Sequence, residues 1–511
     1  MPTFHVANFG CRATQADGAA IERQLRERGL ERAEASAQAE LVVLNTCTVT
    51  AAADQDARAA IRRIHRKNPD AQIVVTGCYA QRAPQEIAAL PGVTQVIGNS
   101  HKHQLAEIVG LRISDSGLRP RELDGRTDIQ QSGFVPLTSL TSAVRSPKSE
   151  VGGPKSDARS PKSDARSPRS DARSPIFVSD IFAHTELQAA PVFDAANERT
   201  RPNLKVQDGC DNRCSFCVIP YVRGQSRSLP LAEVVREVET LVAAGYREVV
   251  ISGINLGRWG RDLAVSPQPS AFGRTSPRST TNHQRPVFED LIRAILSETA
   301  LEKLRISSVE PMDWSDQLIG MMAQSSRIAK HAHVPLQSGS DSVLRRMHRK
   351  YRPWHYREKL EKIRAAAPTA AIGADVMAGF PGETEAEFEE TRRLVEDLPF
   401  TYLHVFTYSA RPGTPAAAMG KAVPVQVARE RNRILRDLAA EKKLGFMRGF
   451  VGKPVELITL GVTGSDHEGD YTEGLSDNYL PVRLQGNHPP NRWIRARTEG
   501  LLDGALLAVA T

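Results

Sequence analysis

Short apolar runs rich in β-branched residues alternate with longer amphipathic stretches through the first part of the chain. The runs predict strands at residues 4–9, 41–45, 72–77 and 94–99. The stretches between them, such as 15–29 and 51–68, carry the apolar spacing of helices. Strands that alternate with helices imply right-handed crossovers between parallel strands. We therefore predict an α/β domain with an open parallel sheet over residues 1–112.

The same alternation returns after residue 203. Predicted strands lie at residues 204–208, 248–253, 303–308, 332–336, 371–380 and 402–408. A series of about six βα units predicts a partial (β/α) barrel whose functional residues lie on the loops after the strands. We assign this central domain to residues 196–445. Residues 446–511 carry short strands between turns, which predicts a small β-barrel.

Two segments interrupt this pattern. Residues 113–195 lack periodicity, are rich in Ser, Pro, Asp and Arg, and contain seven-residue repeats of the SPKSDAR type. We interpret them as a linker, and the proline in every repeat excludes a coiled coil. The repeats are either a neutral insertion or a tail for phosphorylation or RNA binding. A second insertion, at residues 265–286, is interpreted as an enlarged loop.

Composition narrows the class of protein. Of 511 residues, 40% are hydrophobic and 25% charged, and no apolar run reaches the length of a membrane span. The first residues lack the pattern of a signal peptide, so we expect a cytoplasmic protein without a membrane partner. Residues 145–175 hold eight Lys/Arg and four Asp/Glu and thus supply half of the net charge of +8. Global charge is therefore weak evidence for a nucleic-acid partner.

Six cysteines in a large non-secreted chain favour metal or redox chemistry over disulfides. One set, which we name the N-terminal thiols, comprises Cys11, Cys47 and Cys78. Each follows a predicted strand by one to three residues. Parallel strands end at the same edge of a sheet, where such sheets place ligands. We predict that the three thiols meet there; the alternative is three separate buried cysteines.

The other set, the core thiols, comprises Cys210, Cys214 and Cys217, with C-x-x-x-C-x-x-C spacing in one loop. Such a loop can present three thiolates to one iron-sulfur cluster. Tetrahedral zinc needs a fourth ligand and is usually built from two C-x-x-C knuckles, which this chain lacks. A [4Fe-4S] cluster held by three thiolates leaves one iron open to a small molecule. A purely structural cluster is the alternative.

The spacing of the core thiols, with Phe216 just before the last one, resembles the radical S-adenosylmethionine (radical SAM) superfamily. The resemblance implies that Cys210, Cys214 and Cys217 are catalytic and that S-adenosylmethionine binds the cluster. Polar residues and glycines after the later predicted strands are candidates for contacts with that cofactor. They are Gly253, Asn255, Glu310 and Gln337, and Phe216 in the thiol loop is a further candidate.

Apart from its insertions, the whole chain resembles the methylthiotransferases of that superfamily. The match rests on GCRATQAD, NTCTVT and VTGCYAQ, on VQDGCDNRCSFCVIPYVRGQSRS, and on the segment from residue 446, which resembles the TRAM RNA-binding module. The resemblance implies a second [4Fe-4S] cluster on Cys11, Cys47 and Cys78. One S-adenosylmethionine would methylate sulfur held at that second cluster, and another would supply the radical. The sulfur and electron donors are left unassigned.

GCR..QAD, GNSHKH and GLSDNYLPV are most similar to the branch that acts on N6-threonylcarbamoyladenosine at position 37 of the tRNA anticodon arm. The alternatives are isopentenyladenosine-37, ribosomal protein S12, and a non-catalytic iron-sulfur RNA-binding protein. Thr14 stands where the family commonly has Asn, which affects packing near Cys11 and not the ligand set.

Basic residues mixed with aromatic residues suggest RNA contacts. Residues 343–364 contain nine Lys/Arg and two Asp/Glu, although a solvated helix face would have the same composition. The last 66 residues have a net charge of −2, so local clusters must matter there more than the total. The candidates are Arg345, Arg346 and Arg349 in the first segment, and Arg492, Arg495 and Arg497 around Trp493 in the second.

Overall fold

A computed structural model describes residues 1–113, 174–184, 187, 200–263, 285–466 and 469–511. The SPKSDAR repeats and most of the 265–286 insertion lie outside the described residues. Within the described ranges, no helix is both long enough and apolar enough to cross a membrane.

The N-terminal region forms a parallel sheet of strand order β2-β1-β3-β4-β5-β6. Its strands are β1 (Thr3–Asn8), β2 (Glu31–Arg32), β3 (Leu41–Thr46), β4 (Gln72–Gly77), β5 (Val93–Gly98) and β6 (Ile176–Phe177). Its helices are α1 (Arg12–Glu27), α2 (Ala51–Lys67), α3 (Cys78–Arg82), α4 (Pro84–Ala88) and α5 (Leu105–Ile113). Separate apolar cores lie on the two faces of the sheet. Strand β3 is therefore buried along its whole length.

The central region contains seven strands in its described residues: β7 (Asn203–Asp208), β8 (Arg227–Ser228), β9 (Glu248–Gly253), β10 (Lys303–Ile306), β11 (His331–His333), β12 (Ala371–Ala378) and β13 (Tyr402–Thr407). Apart from the short antiparallel β8, they pair in parallel in two sheets, β10-β9-β7-β8 and β11-β12-β13. The parallel bridge between Ser308 and His333 joins the two sheets. The result is the expected partial barrel.

Helices cover the outside of this barrel. They are α6 (Ile219–Arg223), α7 (Leu231–Ala243), α8 (Phe288–Glu298), α9 (Asp316–Gln324), α10 (Asp341–Arg346), α11 (Pro353–Ala366), α12 (Glu385–Asp397) and α13 (Val425–Arg448). The outward side chains of β12, such as Ile372 and Val376, pack with Phe388 and Leu394 of α12 in one large core. Alternation along the strand then turns Gly373 and the residues two and four positions later toward the barrel interior.

The C-terminal region is a closed five-stranded barrel of order β14-β15-β16-β18-β17. Its strands are β14 (Pro454–Asp466), β15 (Gly469–Ser476), β16 (Pro481–Gln485), β17 (Trp493–Leu502) and β18 (Ala505–Ala510). Strands β15 and β16 are joined by a turn at 477–480. That turn contacts the first residues of the central strands, because Lys330 N donates to Asp477 Oδ1 and Asn478 Nδ2 donates to Thr369 O. The α/β fold class is confirmed.

Candidate active site

The N-terminal thiols lie just beyond the carboxyl ends of three neighbouring strands. Cys11 follows β1, Cys47 follows β3, and Cys78 begins α3 directly after β4. Cys47 and Cys78 are buried, whereas Cys11 is exposed. The strand ends meet at one edge because β1, β3 and β4 are adjacent and parallel.

Backbone geometry at Gly10 brings the first two thiols together. Gly10 has a φ of +129°, and a Cβ atom there would lie 2.6 Å from the Cβ of Cys47. Thr14, the departure from the family pattern, is buried, and its Oγ1 lies 3.7 Å from Cys11 Sγ. Asn45 Nδ2 donates to the Thr14 carbonyl at 2.7 Å, so β3 and α1 are tied together beside the thiols.

Asn99 connects the third thiol to the central domain. Its Nδ2 lies 3.5 Å from Cys78 Sγ and donates to the carbonyl of Val222 in α6 at 2.7 Å. Cys78 also packs with Val218 and Val222, which follow the core thiols along the chain. The segment that begins with Cys78 is therefore in direct contact with the segment that follows Cys217.

The core thiols lie on the loop between β7 and α6. The loop begins at Gly209, whose φ is +70° and where a Cβ would lie 1.8 Å from the carbonyl oxygen of Gln225. Backbone bonds then hold it, since Cys210 N donates to Gly224 O and Cys217 N donates to Cys214 O, both at 3.1 Å. This close backbone approach requires glycine at the loop entrance.

The spacing of the sulfur atoms fits a cluster better than a single ion. Among the described residues, which include all six cysteines, no three thiols have their sulfurs within 4.8 Å of one another. Thiolates on one zinc ion, bound at about 2.3 Å each, would lie closer together than that. A wider triangle suits thiolates that bind different irons of one cluster.

The pKa values of the thiols are consistent with bound iron. Burial raises the pKa of Cys47 to about 12, and the nearby Cys78 and Cys11 add to the effect. Burial likewise raises the pKa of Cys217 to about 12 and that of Cys210 to about 11. Thiolates in these positions need a strong positive partner, which iron would supply.

Two of the predicted cofactor contacts carry buried oxygen atoms without a hydrogen-bond donor in the described structure. They are Asn255 Oδ1 and Gln337 Oε1. Asn255 Nδ2 lies 3.7 Å from Cys210 Sγ, and Gln337 adopts a φ of +64°, which is uncommon outside glycine. Unpaired buried acceptors suit a ligand that carries amino and hydroxyl donors, as S-adenosylmethionine does.

The other predicted contacts surround the same loop. Gly253 ends β9 beside Gln207, and a Cβ there would lie 2.8 Å from Gln207 Oε1. Phe216 packs against the apolar cluster that contains Met377 and Phe380. Glu310 bonds to Arg349. The structure thus brings these residues around the core thiols, as the strand-end rule predicts.

Arg349 occupies a different place from the one predicted. Only 7% of its surface is exposed, and its Nη1 donates to Cys214 Sγ at 3.2 Å while its Nη2 bonds to Glu310. We had grouped Arg349 with Arg345 and Arg346 as an RNA contact. Its position beside a core thiol makes it part of the cluster environment instead. The sequence carried no signal for this contact, because 135 residues separate Arg349 from Cys214.

The remaining RNA candidates divide by exposure. Arg346 forms two hydrogen bonds of 2.8 Å to Glu387, so its charge is already paired with a carboxylate. Arg345 is exposed and paired with Asp341. The three arginines of the C-terminal barrel, Arg492, Arg495 and Arg497, are exposed on or beside β17.

A buried ionic group fixes α1 against the central domain. Asp17 bonds to Lys205, and also to Lys102 and Arg223 at 2.9 Å each. Arg223 and Lys205 pair in turn with Asp208 at 2.9 and 2.8 Å. Burial alone would raise the pKa of Asp17, but the surrounding cations hold it below its usual range. These contacts set the position of one thiol set relative to the other.

Polar side chains line the barrel interior below the core thiols in two levels. The lower level, which we name the lumen floor, comprises His331, Tyr402 and Tyr479, where Tyr402 Oη lies 2.7 Å from His331 Nε2 and the Tyr479 ring centroid lies 4.8 Å from that of His331. The middle layer comprises His333, Asp375 and His404.

In the middle layer, Asp375 lies between two imidazoles, with Oδ2 3.2 Å from His333 Nε2 and Oδ1 3.5 Å from His404 Nδ1. Burial alone would raise the pKa of Asp375, but its bonds to both histidines lower it. The His404 side chain is 64% exposed, so this layer is open to solvent on one side. Sequence reasoning missed the lumen floor and the middle layer.

Family models match both cysteine-bearing regions. The model described as "Uncharacterized protein family UPF0004" matches residues 3–98, and that of the radical SAM superfamily matches residues 204–395. The two matches contain the N-terminal thiols and the core thiols respectively. The second match implies one [4Fe-4S] cluster and S-adenosylmethionine as cofactors.

Curated relatives match nearly the whole chain. The threonylcarbamoyladenosine tRNA methylthiotransferase MtaB of Bacillus subtilis (strain 168) is 32% identical, over 95% of this chain and 91% of its own. Its namesake from Rickettsia prowazekii (strain Madrid E) is 31% identical, over 99% and 96%. A tRNA-2-methylthio-N(6)-dimethylallyladenosine synthase from Novosphingobium aromaticivorans is 32% identical, over 89% and 86%. Relatives whose names give different substrates thus have similar identity to this chain.

Among solved structures, the radical S-adenosylmethionine methyltransferase TsrM from Kitasatospora setae, with tryptophan and aza-SAM bound, is similar. Its TM-score is 0.50 at 17% identity, and the match covers 82% of this chain and 75% of that one. The likeness concerns the fold.

Proposed function

Because this chain belongs to the radical SAM methylthiotransferases, we propose that it converts N6-threonylcarbamoyladenosine at position 37 of tRNA to its 2-methylthio derivative. The family membership makes it an enzyme that transfers a methylthio group. The choice of base, the second cluster and the roles of individual residues are our proposal.

The contact between the segment of Cys78 and the segment that follows Cys217 carries the proposal of a two-cluster site. We assign Cys210, Cys214 and Cys217 to the radical cluster, and Cys11, Cys47 and Cys78 to an auxiliary [4Fe-4S] cluster. Cys78 packs on Val218 and Val222, close to the core thiols. Once bound, these groups would supply a substrate radical and a methylated sulfur. Their reaction requires the two sites to be neighbours, which the Asn99 and Asp17 contacts support.

We assign binding roles to residues at the carboxyl ends of the strands. Asn255 and Gln337 would accept hydrogen bonds from the amino and hydroxyl groups of S-adenosylmethionine, with Gly253 and Glu310 beside them. Phe216 would exclude water, since it packs against the apolar cluster that contains Met377.

The polarity of the barrel interior favours the threonylcarbamoyl base. A base whose C2 faces the thiols would direct its N6 group toward the middle layer or the lumen floor. The threonylcarbamoyl group carries amide, hydroxyl and carboxylate atoms that can bond to histidine, tyrosine and arginine side chains. A dimethylallyl group offers none of these atoms and would gain no hydrogen bond from the polar interior.

The domain organisation supports an RNA substrate. We propose that residues 1–112 hold the auxiliary cluster, 196–445 the radical site, and 446–511 a TRAM module that binds the anticodon arm. Arg492, Arg495 and Arg497 lie exposed next to Trp493 on this module, and their phosphate contacts would be sequence-independent. The linker 113–195 joins the first two units.

Anaerobic assay of the reconstituted full-length protein tests the proposal. The substrates are two anticodon stem-loop RNAs, one with threonylcarbamoyladenosine and one with dimethylallyladenosine at position 37, and products are identified by nucleoside mass spectrometry. We expect the 2-methylthio product only from the first RNA. Product from the second RNA alone would favour the other substrate, which the Novosphingobium relative represents. Deoxyadenosine release without either product would contradict methylthio transfer.

As a matched control, Cys78→Ala should abolish methylthio transfer while deoxyadenosine release persists, because the core thiols remain. Cys217→Ala should abolish both reactions. Equal loss of both reactions in the two variants would contradict the division of roles between the thiol sets.

A further inference from the structure

We propose that Arg12 recognises the carboxylate of the N6 substituent and so determines which modified adenosine this enzyme accepts. The inference rests on the proposed function. It adds a specificity residue supplied by the N-terminal domain, next to the first of the N-terminal thiols.

Arg12 extends from the start of α1 toward the lumen floor. Its Nη2 donates to Tyr479 Oη at 3.3 Å, and its backbone carbonyl accepts from Asn203 Nδ2 at 2.9 Å. Tyr479 belongs to the turn of the C-terminal barrel and contacts Tyr402 and His331. Arg12 therefore stands where the three domains meet, at one side of the barrel interior.

Within the described residues, Arg12 has no acidic partner, unlike three other arginines at the domain contacts. Arg305 pairs with Glu248, Arg223 with Asp17 and Asp208, and Arg411 with Asp54. Within the described ranges, no carboxylate lies within 4.0 Å of the Arg12 guanidinium.

The side chains of the lumen floor beside Arg12 are uncharged, and the cations Arg201 and Arg305 close to them each pair with Glu248. Burial lowers the pKa of His331 far below its usual value, so this imidazole is neutral at physiological pH. The phenol of Tyr402 is neutral as well, because burial raises its pKa. A guanidinium beside neutral donors and acceptors can bind an incoming carboxylate through two parallel hydrogen bonds.

The middle layer directs the anion to this place. Asp375 carries a negative charge between His333 and His404 and would repel a carboxylate bound at its own level. The lumen floor has no acid among His331, Tyr402 and Tyr479. A substrate carboxylate is therefore most stable at the floor, next to Arg12.

The length of the barrel interior fits a base bound between the core thiols and the lumen floor. Tyr402 at the floor and Phe406, which packs against the same apolar cluster as Phe216, are four residues apart on β13. At the rise of a strand this is about 13 Å. That length accommodates a purine with its reactive edge near the thiols and an extended substituent that reaches the floor.

The test compares two stem-loop RNAs that differ only in the substituent, one with threonylcarbamoyladenosine and one with its methyl ester, which lacks the negative charge. Fluorescence anisotropy gives the Kd of each RNA for the anaerobically reconstituted full-length protein, and turnover gives kcat and KM. The variants are Arg12→Gln and Arg12→Lys. Arg26→Gln, at an exposed position of the same helix, is the control.

We expect the wild-type protein to bind the acid about 10- to 100-fold more tightly than the ester. This factor corresponds to the usual strength of hydrogen bonds between charged groups. Arg12→Gln should remove this preference by weakening binding of the acid while leaving the ester unchanged. Arg12→Lys should restore part of it, and Arg26→Gln should behave like the wild type. The loss should appear mainly in the Kd and KM of the acid, because the proposed contact of Arg12 is with the substituent and not with the reacting carbon.

Equal binding of acid and ester by the wild type would overturn the inference, and so would a preference that survives in Arg12→Gln. The comparison of acid and ester binding by the wild-type protein tests the inference even if Arg12→Gln disturbs the neighbouring cluster. Iron analysis of the variant would show such a disturbance. If the acid RNA is methylthiolated but the ester reacts equally well, only the role of Arg12 is wrong. If neither RNA reacts and the dimethylallyl RNA does, the proposed function itself is wrong.

Discussion

Asp17 is the acidic side chain through which α1 is held against the central domain, and Asp17→Asn would remove one negative charge from a buried ionic group. In the native protein, Asp17 and Asp208 face three cations, Lys102, Lys205 and Arg223. The variant would leave these cations with Asp208 alone. The amide of Asn is similar in size to the carboxylate, so the change acts mainly through charge.

Removal of one partner of a buried ion pair costs about 3–5 kcal/mol, because the remaining charges lose their compensation. Asp208 still pairs with Lys205 and Arg223, and the Lys102 side chain is 13% exposed and can turn toward water. We therefore expect a loss of about 3 kcal/mol in the free energy of unfolding, at the lower end of that range.

Urea unfolding at pH 7 under anaerobic conditions measures this loss. Trp259 and Trp314 are fully buried in the central domain, so their fluorescence reports its unfolding, while circular dichroism follows the whole chain. Asp56→Asn, at an exposed position of α2, makes the same change of charge and should alter stability by less than about 0.5 kcal/mol. If Asp17→Asn falls within the same limit, the ionic group does not hold the domains together.

The pH dependence provides an independent check. The pKa of Asp17 is depressed in the folded state, so its contribution to stability is present above the unfolded value of about 3.9. The contribution is lost as pH falls below that value toward the folded pKa. The stability difference between wild type and Asp17→Asn should thus be constant from pH 7 to about 5 and shrink below pH 4. A difference that grows on acidification would contradict the assignment.

Two further substitutions test the surroundings of the thiols. Gly10→Ala would place a Cβ 2.6 Å from that of Cys47. We therefore expect this variant to lose roughly half of the bound iron while the signal of the core cluster persists. The control variant Gly110→Ala, which has open space around it, should keep all the iron. Arg349→Gln removes a charged donor from Cys214, so the reduction potential of the core cluster should fall in an EPR-monitored titration. The exposed neighbour variant Lys350→Gln should leave the potential unchanged, and an equal shift in both variants would contradict a specific role for Arg349.

The sequence sufficed to predict the strands and the position of the cysteines relative to them. Local apolar patterns determine which segments form strands, and parallel strands end at one sheet edge. The grouping of Cys11, Cys47 and Cys78 at neighbouring strand ends follows from these two rules. The core thiols were recognisable from spacing alone, because all three lie on one loop.

Charge along the chain was a poorer guide to the role of a side chain. Arg345, Arg346 and Arg349 are close in sequence, yet the first is exposed, the second pairs with Glu387, and the third is buried beside Cys214. The density of arginines in a segment does not reveal which face of the fold each one occupies. That depends on elements more than 40 residues away in either direction.

The sequence by itself determined the α/β class, the two thiol sets and the family, since these depend on short-range patterns. Only the tertiary structure decided how the thiol sets are placed and what lines the space between them. Asp17 meets its partners in β7 and α6, Arg12 meets Tyr479 of the C-terminal barrel, and Asp375 meets His404 on the next strand. Such contacts join residues far apart in the chain, and they arise only when burial of the apolar cores brings the domains and strands together.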